Sequence, residues 1–476
     1  MLLLIRTLRY SNVHKLSGVV SRNLVPSFLN GYEDIPRLCA KSSIAWRNSR
    51  TFPQATVQRH FSTTSNLTKG HGAVSMHVVS FEGRPALKIE WDDSRASHFP
   101  FVYIRDNCLC HLCYDGSAKQ RTYNSVKEVF GDPEELTNIA AQSVTYDPDH
   151  KNVTISWPDG HQSIFDLTWF EERKFPESLE DQQQNSTSFV PRKIPWPDNF
   201  RCPEADFQAI INNDLDCHDW ISNLATHGLT LIKNAPAEPN TLSIIARKVG
   251  GFIRKTHYGE IFKVKSKPDP SNIAYSGRET PLHVDLAYYQ YQPSIQFLHC
   301  IKQTGDTNGG ANSFVDGFSV AEFFRKEHPE VFRTLSTLKF TFRDIGTDEY
   351  GEFEKKLERP VIGIDDSGRY TNIAYNNFTR SSFLNVQLAD VYKLYEAYFM
   401  WTKKINEKSE EMVHKLKPGE IWAFDNIRIL HSRTTFDVSK EERYVEGMYL
   451  DWDEAYSSLR TLRRRLGKNT GDSNSF

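Results

Sequence analysis

The segment LHVD, residues 282–285, places a histidine and an aspartate two positions apart, His283 and Asp285. Alternate side chains of a β-strand point to the same face, so these two could bind one ion together. The later segment IRILHSR offers a third ligand, His431, at the end of a strand-like run. Two histidines and one carboxylate form the facial triad of non-haem Fe(II) oxygenases. Arg443, twelve residues after His431, suits the far carboxylate of a dicarboxylate cosubstrate through a bidentate fork.

An H-x-D pair alone is a weak signal, because it also occurs as a polar pair in loops. The added histidine and arginine, in a chain rich in strand-like segments, favour the metal site.

A second cluster, in RDNCLCHLCYDG, contains Cys108, Cys110 and Cys113. Three thiols and one imidazole are the usual ligands of a closed structural zinc site. His161, in WPDGH, is one candidate for the imidazole, and His111 within the motif is another. The alternative is a loop with three buried thiols. The remaining cysteines show no pairing pattern of a secreted disulfide framework.

Aromatic residues suggest a cage for a cation. They are Tyr258 and Phe262 in YGEIF, Tyr275 in NIAYS and Tyr449 in EGMYL. Ring faces bind quaternary ammonium without a hydrogen bond. From spacing alone, such residues are more often part of a core.

The elements that must position these residues fall into two parts. Short alternating runs over residues 75–178 predict a small β-rich zinc-binding domain. The polar and proline-containing stretch 179–202 predicts a linker. Residues 203–467 mix helices with many strands, so the fold class is α+β and mostly β, and 468–476 form a predicted disordered tail.

Four helical patterns stand out after the linker, together with strands of β-branched and aromatic residues. The predicted helices are DLDCHDWISNLATHG, NTLSIIARKVGG with Asn240 as a cap, the long run FSVAEFFRKEHPEVFRTLSTL, and ADVYKLYEAYFMWTKKINEK. A fifth, DWDEAYSSLRTLRRRLG, closes the domain. The predicted strands are LTLIKN, PSIQFLHCI, NSFVDGF, RYTNIAYN, EIWAFDN and RYVEGMYL.

Residues 1–70 are basic, rich in hydroxyl side chains and poor in acids, as in a mitochondrial transit peptide. The alternative is a disordered basic tail without a targeting role. The net charge of −2 over 476 residues does not indicate a nucleic-acid binder, and no apolar run is long enough to span a membrane.

An ordered set of motifs resembles the gamma-butyrobetaine and trimethyllysine dioxygenase family over residues 75–467. The motifs are RDNCLCHLCYDGSAKQR, WPDGH, THYGEIF, NIAYS, LHVD, FLHCIKQ, VDGF, YNNFTR, DNIRILHSR and RYVEGMYLDWDEAYSSLRTLRRRL. The resemblance implies a double-stranded β-helix (jelly-roll) oxygenase core that uses Fe(II), 2-oxoglutarate and O₂, with ascorbate as reductant. It also implies an N-terminal domain with a structural Zn²⁺, and a homodimer.

The resemblance assigns a role to each candidate residue. The ligand sets are zinc on Cys108, Cys110, Cys113 and His161, and iron on His283, Asp285 and His431. Arg443 matches the arginine that holds 2-oxoglutarate. The cage for the trimethylammonium group matches Tyr258, Phe262, Tyr275 and Tyr449, and Asn272 with Asn377 match positions near the substrate carboxylate.

Four residues depart from the family pattern. Phe262 stands where relatives have Trp, a better partner for cations. Leu286 and Ala287 replace the Tyr-Pro that follows the aspartate in butyrobetaine enzymes. Asn312 stands near the cosubstrate, where relatives have Ser or Thr.

The expected function is hydroxylation of gamma-butyrobetaine, a small quaternary ammonium compound, to L-carnitine, in the mitochondrial matrix or else in the cytoplasm. The alternatives are hydroxylation of N6-trimethyllysine, action on an unrelated carboxylate, and an inactive zinc-stabilised scaffold.

Overall fold

The computed structural model describes residues 73–124, 138–176, 190–264, 276–303, 305, 309–409, 412–437 and 443–467. The predicted leader at 1–70 and tail at 468–476 lie outside these residues, as do two predicted substrate-binding residues, Asn272 and Tyr275. Within the described ranges, no helix combines the length and the apolar character needed to cross a bilayer.

The N-terminal part contains two three-stranded antiparallel sheets around a shared core, and one short two-stranded antiparallel sheet. The strands are β1 (Ala73–Phe81), β2 (Arg84–Trp91), β3 (Ala96–Pro100), β4 (Tyr114–Asp115), β5 (Gln120–Arg121), β6 (Ser143–Asp147), β7 (Asn152–Ser156) and β8 (Gln162–Asp166). Helices α1 (Phe101–Asp106) and α2 (Leu167–Glu171) follow β3 and β8. Alternate residues such as Leu87 and Ile89 on β2 are buried, as the alternating pattern predicts.

The C-terminal part is built on two facing sheets. A six-stranded sheet has the order β11-β22-β13-β20-β10-β9, and a four-stranded sheet has the order β12-β21-β14-β19. Their strands are β9 (Glu204–Asp206), β10 (Leu229–Lys233), β11 (Ile261–Val264), β12 (Thr280–His283), β13 (Ile295–Lys302), β14 (Asn312–Asp316), β19 (Val413–His414), β20 (Ile421–Asp425), β21 (Ile429–Arg433) and β22 (Tyr444–Leu450). Phe314 of the smaller sheet packs against Trp422 and Phe424 of the larger one, with ring centroids 4.7 and 5.4 Å apart. This is the predicted double-stranded β-helix.

Both faces of the larger sheet are covered, which explains its nearly unbroken apolar strands. Leu298 and Trp422 point into the core between the sheets, whereas the adjacent Phe297 and Ile421 pack against helices on the outer face. The helices of the C-terminal part are α3 (Phe207–Asn212), α4 (Asp214–His227), α5 (Leu242–Lys248), α6 (Gly317–Glu327), α7 (Pro329–Thr337), α8 (Val391–Lys408) and α9 (Trp452–Arg465).

The helix predictions are confirmed, with two corrections at helix ends. Asn240 is not the N-cap of α5: Thr241 takes that place, and Asn240 adopts a positive φ of 66°. The run predicted as one helix over FSVAEFFRKEHPEVFRTLSTL is broken into α6 and α7 at His328, because Pro329 disfavours the helical conformation of the residue before it.

A long hairpin was missed by the sequence patterns. Strands β15 (Lys339–Asp348) and β16 (Gly351–Pro360) pair along their whole length, and the shorter pair β17 (Ile362–Ile364) and β18 (Tyr370–Ile373) follows. Arg359 of the hairpin donates hydrogen bonds to the Gln292 side chain and to the Tyr289 carbonyl, so the hairpin supports the loop after Asp285.

The described part of the predicted linker is fastened to the C-terminal core. The guanidinium of Arg428 forms a buried ion pair with Asp316 and also donates to the Ile194 carbonyl. Trp196 donates its backbone N–H to Asp316, and Lys193 reaches the buried carboxylate of Asp425. The segment 193–196 is therefore held by buried charges, and the domain boundary stays a prediction.

Candidate active site and metal centres

His283, Asp285 and His431 converge at the edge strand β12 of the smaller sheet. His283 pairs with His431 across β12 and β21, and their rings lie 4.2 Å apart. The Oδ1 atom of Asp285 lies 3.2 Å from Nε2 of His283 and 3.9 Å from Nε2 of His431. The three potential ligand atoms all lie within 4.8 Å of one another, so one ion could contact all of them.

Two details of backbone position differ from the sequence expectation. β12 ends at His283, so Asp285 lies in the turn that follows and not on the strand. The chain turns there because the amide N–H of Asp285 donates to the Asn426 side chain and Leu286 adopts a positive φ of 59°. His431 lies in the middle of β21, not at its end.

Hydrogen bonds leave one oxygen of Asp285 facing the histidines. Its Oδ2 atom accepts hydrogen bonds of 2.7 Å from the Gln296 side chain and from the Tyr449 hydroxyl. Asn426 also donates to the Asp285 carbonyl at 3.1 Å. Both the side chain and the backbone of Asp285 are thus fixed, with Oδ1 available as a ligand.

The histidines present the nitrogen that a metal requires. Nδ1 of His283 lies 2.7 Å from the Pro281 carbonyl, so its N–H donates there, and in the neutral tautomer this places the lone pair on Nε2. Burial, and to a lesser degree His283, lowers the pKa of His431 to about 3, so its ring is neutral at pH 7. Burial raises the pKa of Asp285, but the hydrogen bonds that its carboxylate accepts outweigh burial, so the pKa of Asp285 is lowered and the group is ionised at pH 7. Neutral imidazoles and a carboxylate are the protonation states of metal ligands.

The predicted cosubstrate arginine, Arg443, is buried, and burial lowers its pKa to about 10. Its Nε atom has no hydrogen-bond partner among the described residues. Gly310 approaches it so closely that an added Cβ would lie 3.3 Å from that Nε. Arg433 is a neighbouring cation, and the guanidinium carbons of both arginines lie within 5.5 Å of the centre of the Phe436 ring. A buried cation with an unused donor fits a carboxylate ligand.

Asn312 lies on β14 directly opposite Arg433 of β21. Its side-chain nitrogen donates to the Ser432 carbonyl at 3.0 Å, and its Oδ1 atom is buried without a hydrogen-bond partner in the described part of the chain. Asn377 is exposed, and its side-chain oxygen accepts hydrogen bonds from Arg380. The next residue, Phe378, has its ring 6.2 Å from that of His283, whereas the Asn377 amide contacts Arg380.

Three of the four predicted cage residues form one aromatic cluster. Phe262 stacks on Tyr449 at 5.2 Å, and Tyr258 lies 6.0 Å from Phe262. Phe262 lies opposite Gly447 on the neighbouring strand, and a Cβ at that glycine would lie 2.2 Å from the Phe262 ring. Because Tyr449 also donates to Asp285, the cluster adjoins the triad directly.

Two hydrogen-bonded pairs of polar side chains, which the sequence patterns did not reveal, lie beside this cluster. The Tyr288 hydroxyl donates to Asp344 of the hairpin at 2.7 Å, and Nδ1 of His257 lies 2.8 Å from the Tyr289 hydroxyl. Burial raises the pKa of Asp344 and lowers that of His257 to about 4.

The N-terminal cluster has the donor set and spacing of a zinc site. Nε2 of His161 lies 3.2, 3.6 and 3.7 Å from the sulfurs of Cys108, Cys110 and Cys113. Ligands about 2.0–2.3 Å from a tetrahedral Zn²⁺ are separated by about 3.6 Å. His111 is exposed and is not in this group. Burial raises the pKa of Cys113 to about 12, so a cation is needed to hold it as thiolate.

Comparison with known proteins agrees with this geometry. The model of the taurine catabolism dioxygenase TauD, TfdA family matches residues 197–449, and that of the gamma-butyrobetaine hydroxylase-like N-terminal domain matches residues 81–171.

Curated relatives cover both parts. Gamma-butyrobetaine dioxygenase of Homo sapiens is 33% identical over 388 residues, which is 81% of this chain and 97% of that protein. The enzyme of the same name from Pseudomonas sp. (strain AK-1) is 32% identical over 79% of this chain and 94% of its own length. Mitochondrial trimethyllysine dioxygenase of Bos taurus is 28% identical over 76% of this chain and 82% of its own length. The chain therefore belongs to the TauD, TfdA family of dioxygenases and carries the N-terminal domain of the gamma-butyrobetaine hydroxylase-like type.

Proposed function

We propose that this dioxygenase uses Fe(II), 2-oxoglutarate and O₂ to hydroxylate gamma-butyrobetaine, giving L-carnitine. The observation that carries the proposal is the 33% identity to human gamma-butyrobetaine dioxygenase across 97% of that protein. The aromatic cluster beside Asp285 supports it, because such rings suit a trimethylammonium group.

In the proposed reaction, His283, Asp285 and His431 would hold the iron. When bound, iron and 2-oxoglutarate supply the oxidising chemistry: one oxygen atom enters a substrate C–H bond and the other enters succinate, with release of CO₂. Gln296 and Tyr449 keep the Oδ2 atom of Asp285 engaged, so that Oδ1 remains directed at the metal position.

Arg443 holds the far carboxylate of 2-oxoglutarate, and Asn312 lies beside that position. The substrate cation is held by Tyr258, Phe262, Tyr275 and Tyr449, and its carboxylate by Asn272 and Asn377. Fixing both ends of a short flexible chain selects which C–H bond reacts. The roles of Asn272 and Tyr275 rest on the family resemblance.

The remaining assignments belong to the same proposal. Cys108, Cys110, Cys113 and His161 bind a structural Zn²⁺, ascorbate serves as reductant, and the protein forms a homodimer. Residues 1–70 direct it to the mitochondrial matrix, the cytoplasm being the alternative.

Hydroxylation of N6-trimethyllysine is the second candidate, since trimethyllysine dioxygenases align with this chain at 28% identity. Leu286 and Ala287, which depart from the butyrobetaine pattern, lie in the turn that carries Asp285, and Tyr449 of the aromatic cluster contacts Asp285. A third candidate is the same chemistry on an unrelated carboxylate, and a fourth is an inactive zinc-stabilised scaffold. Retention of His283, Asp285, His431 and Arg443 argues against a scaffold, which would not need all four.

The test is the rate of succinate formation by the full chain with each substrate in turn. We expect kcat/KM for gamma-butyrobetaine to exceed that for N6-trimethyllysine by at least about 100-fold, which corresponds to about 2.7 kcal/mol of transition-state discrimination. The variant His283→Ala should be inactive with both. The opposite preference would identify N6-trimethyllysine as the substrate. Absence of turnover, together with no charge-transfer band on anaerobic addition of 2-oxoglutarate, would favour the inactive zinc-stabilised scaffold.

A further inference from the structure

Asp344, on strand β15 of the hairpin, is a partly buried carboxylate without a charged partner. Its side chain is 23% exposed, and its Oδ2 atom accepts a hydrogen bond of 2.7 Å from the Tyr288 hydroxyl. No lysine or arginine of the described ranges forms an ion pair with it. Burial raises the pKa of Asp344, whereas a neighbouring cation would lower it.

The two basic side chains beside Asp344 do not neutralise it. Lys355 lies directly opposite on β16, but its ammonium lies over the ring of Tyr289, 5.0 Å from the ring centre. Nε2 of His257 lies 4.0 Å from Oδ2 of Asp344, and burial lowers the pKa of His257 to about 4, so its ring is neutral at pH 7. A carboxylate in this position favours a cation that the chain itself does not supply.

A chain of hydroxyl groups links Asp344 to the aromatic cluster of Tyr258, Phe262 and Tyr449. The Tyr288 hydroxyl is also hydrogen-bonded to the hydroxyl of Tyr258. Because Tyr288 donates its single proton to the carboxylate, Tyr258 donates to Tyr288. Successive hydrogen bonds polarise one another, and a phenol that donates towards an anion has a more electron-rich ring. The face of the Tyr258 ring therefore attracts a cation more strongly.

Two tyrosines of the cluster thus lead to carboxylates, and the two carboxylates differ in what they face. Tyr449 donates directly to Asp285, which belongs to the group that could hold a metal ion. Tyr258 leads through Tyr288 to Asp344, which does not belong to that group. The charge of Asp344 therefore remains available to a cation in the aromatic cluster.

We propose that Asp344 is a specificity-determining residue, whose carboxylate selects a trimethylammonium cation in the aromatic cluster over an uncharged group of the same shape. This inference rests on the proposed function, which supplies the cation. Asp344 reaches the cluster through Tyr288 and has no part in the oxidation. A trimethylammonium group has no N–H to donate, so it is recognised by ring faces and by the field of a nearby anion. Partial burial limits the screening of that field by salt.

The first test compares the binding of two molecules that share a shape and differ in charge. They are gamma-butyrobetaine and 5,5-dimethylhexanoate, in which a tert-butyl group replaces the trimethylammonium group. Isothermal titration calorimetry of the full chain, under anaerobic conditions with Fe(II) and 2-oxoglutarate, gives both Kd values without turnover. We expect Asp344→Asn to raise Kd about 10-fold for gamma-butyrobetaine and less than about twofold for the tert-butyl analogue, because asparagine still accepts the Tyr288 proton but carries no charge.

Two further variants support this test. Glu352→Gln is the matched control, because Glu352 is exposed on the same hairpin and its replacement removes the same charge. It should leave both Kd values unchanged. Tyr288→Phe keeps the carboxylate and interrupts the hydroxyl chain, so Kd should rise about threefold for gamma-butyrobetaine and less than about twofold for the analogue. This variant carries the test if circular dichroism shows that Asp344→Asn does not fold.

The outcomes separate this inference from the proposed function. An equal rise in both Kd values in Asp344→Asn would show that Asp344 only holds the hairpin in place, and it would overturn the inference. Unchanged Kd values in that variant, in a chain that still hydroxylates gamma-butyrobetaine, would reject the inference alone. A selective loss of gamma-butyrobetaine binding, in a chain whose wild type does not hydroxylate it, would support the inference and reject the proposed reaction.

Discussion

At the scale of single residues, the carboxylate of Asp285 is the most constrained group of the site. Its Oδ2 atom accepts hydrogen bonds from Gln296 and Tyr449, and Asn426 contacts its backbone N–H and carbonyl. The Tyr449 hydroxyl therefore orients Asp285, whereas the Tyr449 ring packs on Phe262.

We predict that Tyr449→Phe weakens Fe(II) binding by about 10–100-fold, because it removes a hydrogen bond that orients a ligand. Gln296→Leu should have a similar effect through the same oxygen. The Kd for Fe(II), measured by anaerobic titration, checks this. Unchanged iron affinity in both variants would show that Asp285 needs neither donor.

Phe262 tests the cation cage. We predict that Phe262→Leu raises KM for gamma-butyrobetaine by about 3–30-fold, since the leucine keeps apolar contact but loses the ring face. The control is the carbon isostere 5,5-dimethylhexanoate, in which an uncharged tert-butyl group replaces the trimethylammonium group, and its KM or inhibition constant should change less than twofold. An equal change in KM or inhibition constant for gamma-butyrobetaine and for 5,5-dimethylhexanoate would mean that Phe262 acts by packing alone.

The spacing of the ligands could be read from the sequence, whereas their supports could not. His283 and Asp285 form a local pattern, and family motifs identify His431. Asn426 and Gln296 are common amides that reach Asp285 from 141 and 11 residues away. A hydrogen bond between distant residues leaves no periodic trace in a sequence, so only the fold reveals it.

At the scale of elements, the zinc site joins two separate segments. The loop that carries Cys108, Cys110 and Cys113 provides three ligands, and a turn between two strands provides the fourth ligand, an imidazole. We predict that Cys110→Ser lowers the bound zinc from about one ion per chain to nearly none, because a structural site needs its four ligands. Thermal unfolding of the N-terminal part should then begin at a lower temperature. Elemental analysis of the purified chain measures the zinc content.

Cys202→Ser is the control for this experiment, because Cys202 lies outside the cluster. It should retain zinc. Loss of zinc on His111→Ala but not on His161→Ala would reverse the assignment of the fourth ligand.

The elements that patterns missed have mixed composition. The β15–β16 hairpin alternates charged and apolar residues along much of its length, but Gly346, Gly351 and several lysines and glutamates lower its strand propensity. Strand β12 was expected to continue through Asp285, yet it ends at His283 because side chains of distant residues hold the turn. The helices were predicted better, since their pattern is local.

At the scale of the whole molecule, buried histidines make stability depend on pH. His299 is fully buried on β13, and burial lowers its pKa to about 4. In the unfolded chain its pKa is about 6.5, so between pH 6.5 and about 4 the unfolded state binds a proton that the folded state does not. This contribution to stability is present above pH 6.5 and is lost as the pH falls.

We therefore predict that His299 lowers the free energy of unfolding by about 1.4 kcal/mol for each unit by which the pH falls between pH 6 and 5. His299→Gln should reduce that slope by one proton, as measured by urea unfolding at several pH values. His150→Gln is the control. His150 is exposed, and its hydrogen bond to Asp147 raises its pKa. Its removal should therefore not lessen the fall in the free energy of unfolding at acid pH. An unchanged slope in His299→Gln would show that His299 is protonated in the folded chain.

In the proposed function, the chain inserts one oxygen atom into gamma-butyrobetaine at the site formed by His283, Asp285 and His431. The most direct measurement is mass spectrometry of the product formed by the full chain with Fe(II), ascorbate, 2-oxoglutarate and ¹⁸O₂. We expect L-carnitine containing one ¹⁸O atom, formed together with an equal amount of succinate, and neither product with His283→Ala. Succinate without hydroxylated butyrobetaine, or hydroxylation that persists in His283→Ala, would contradict it.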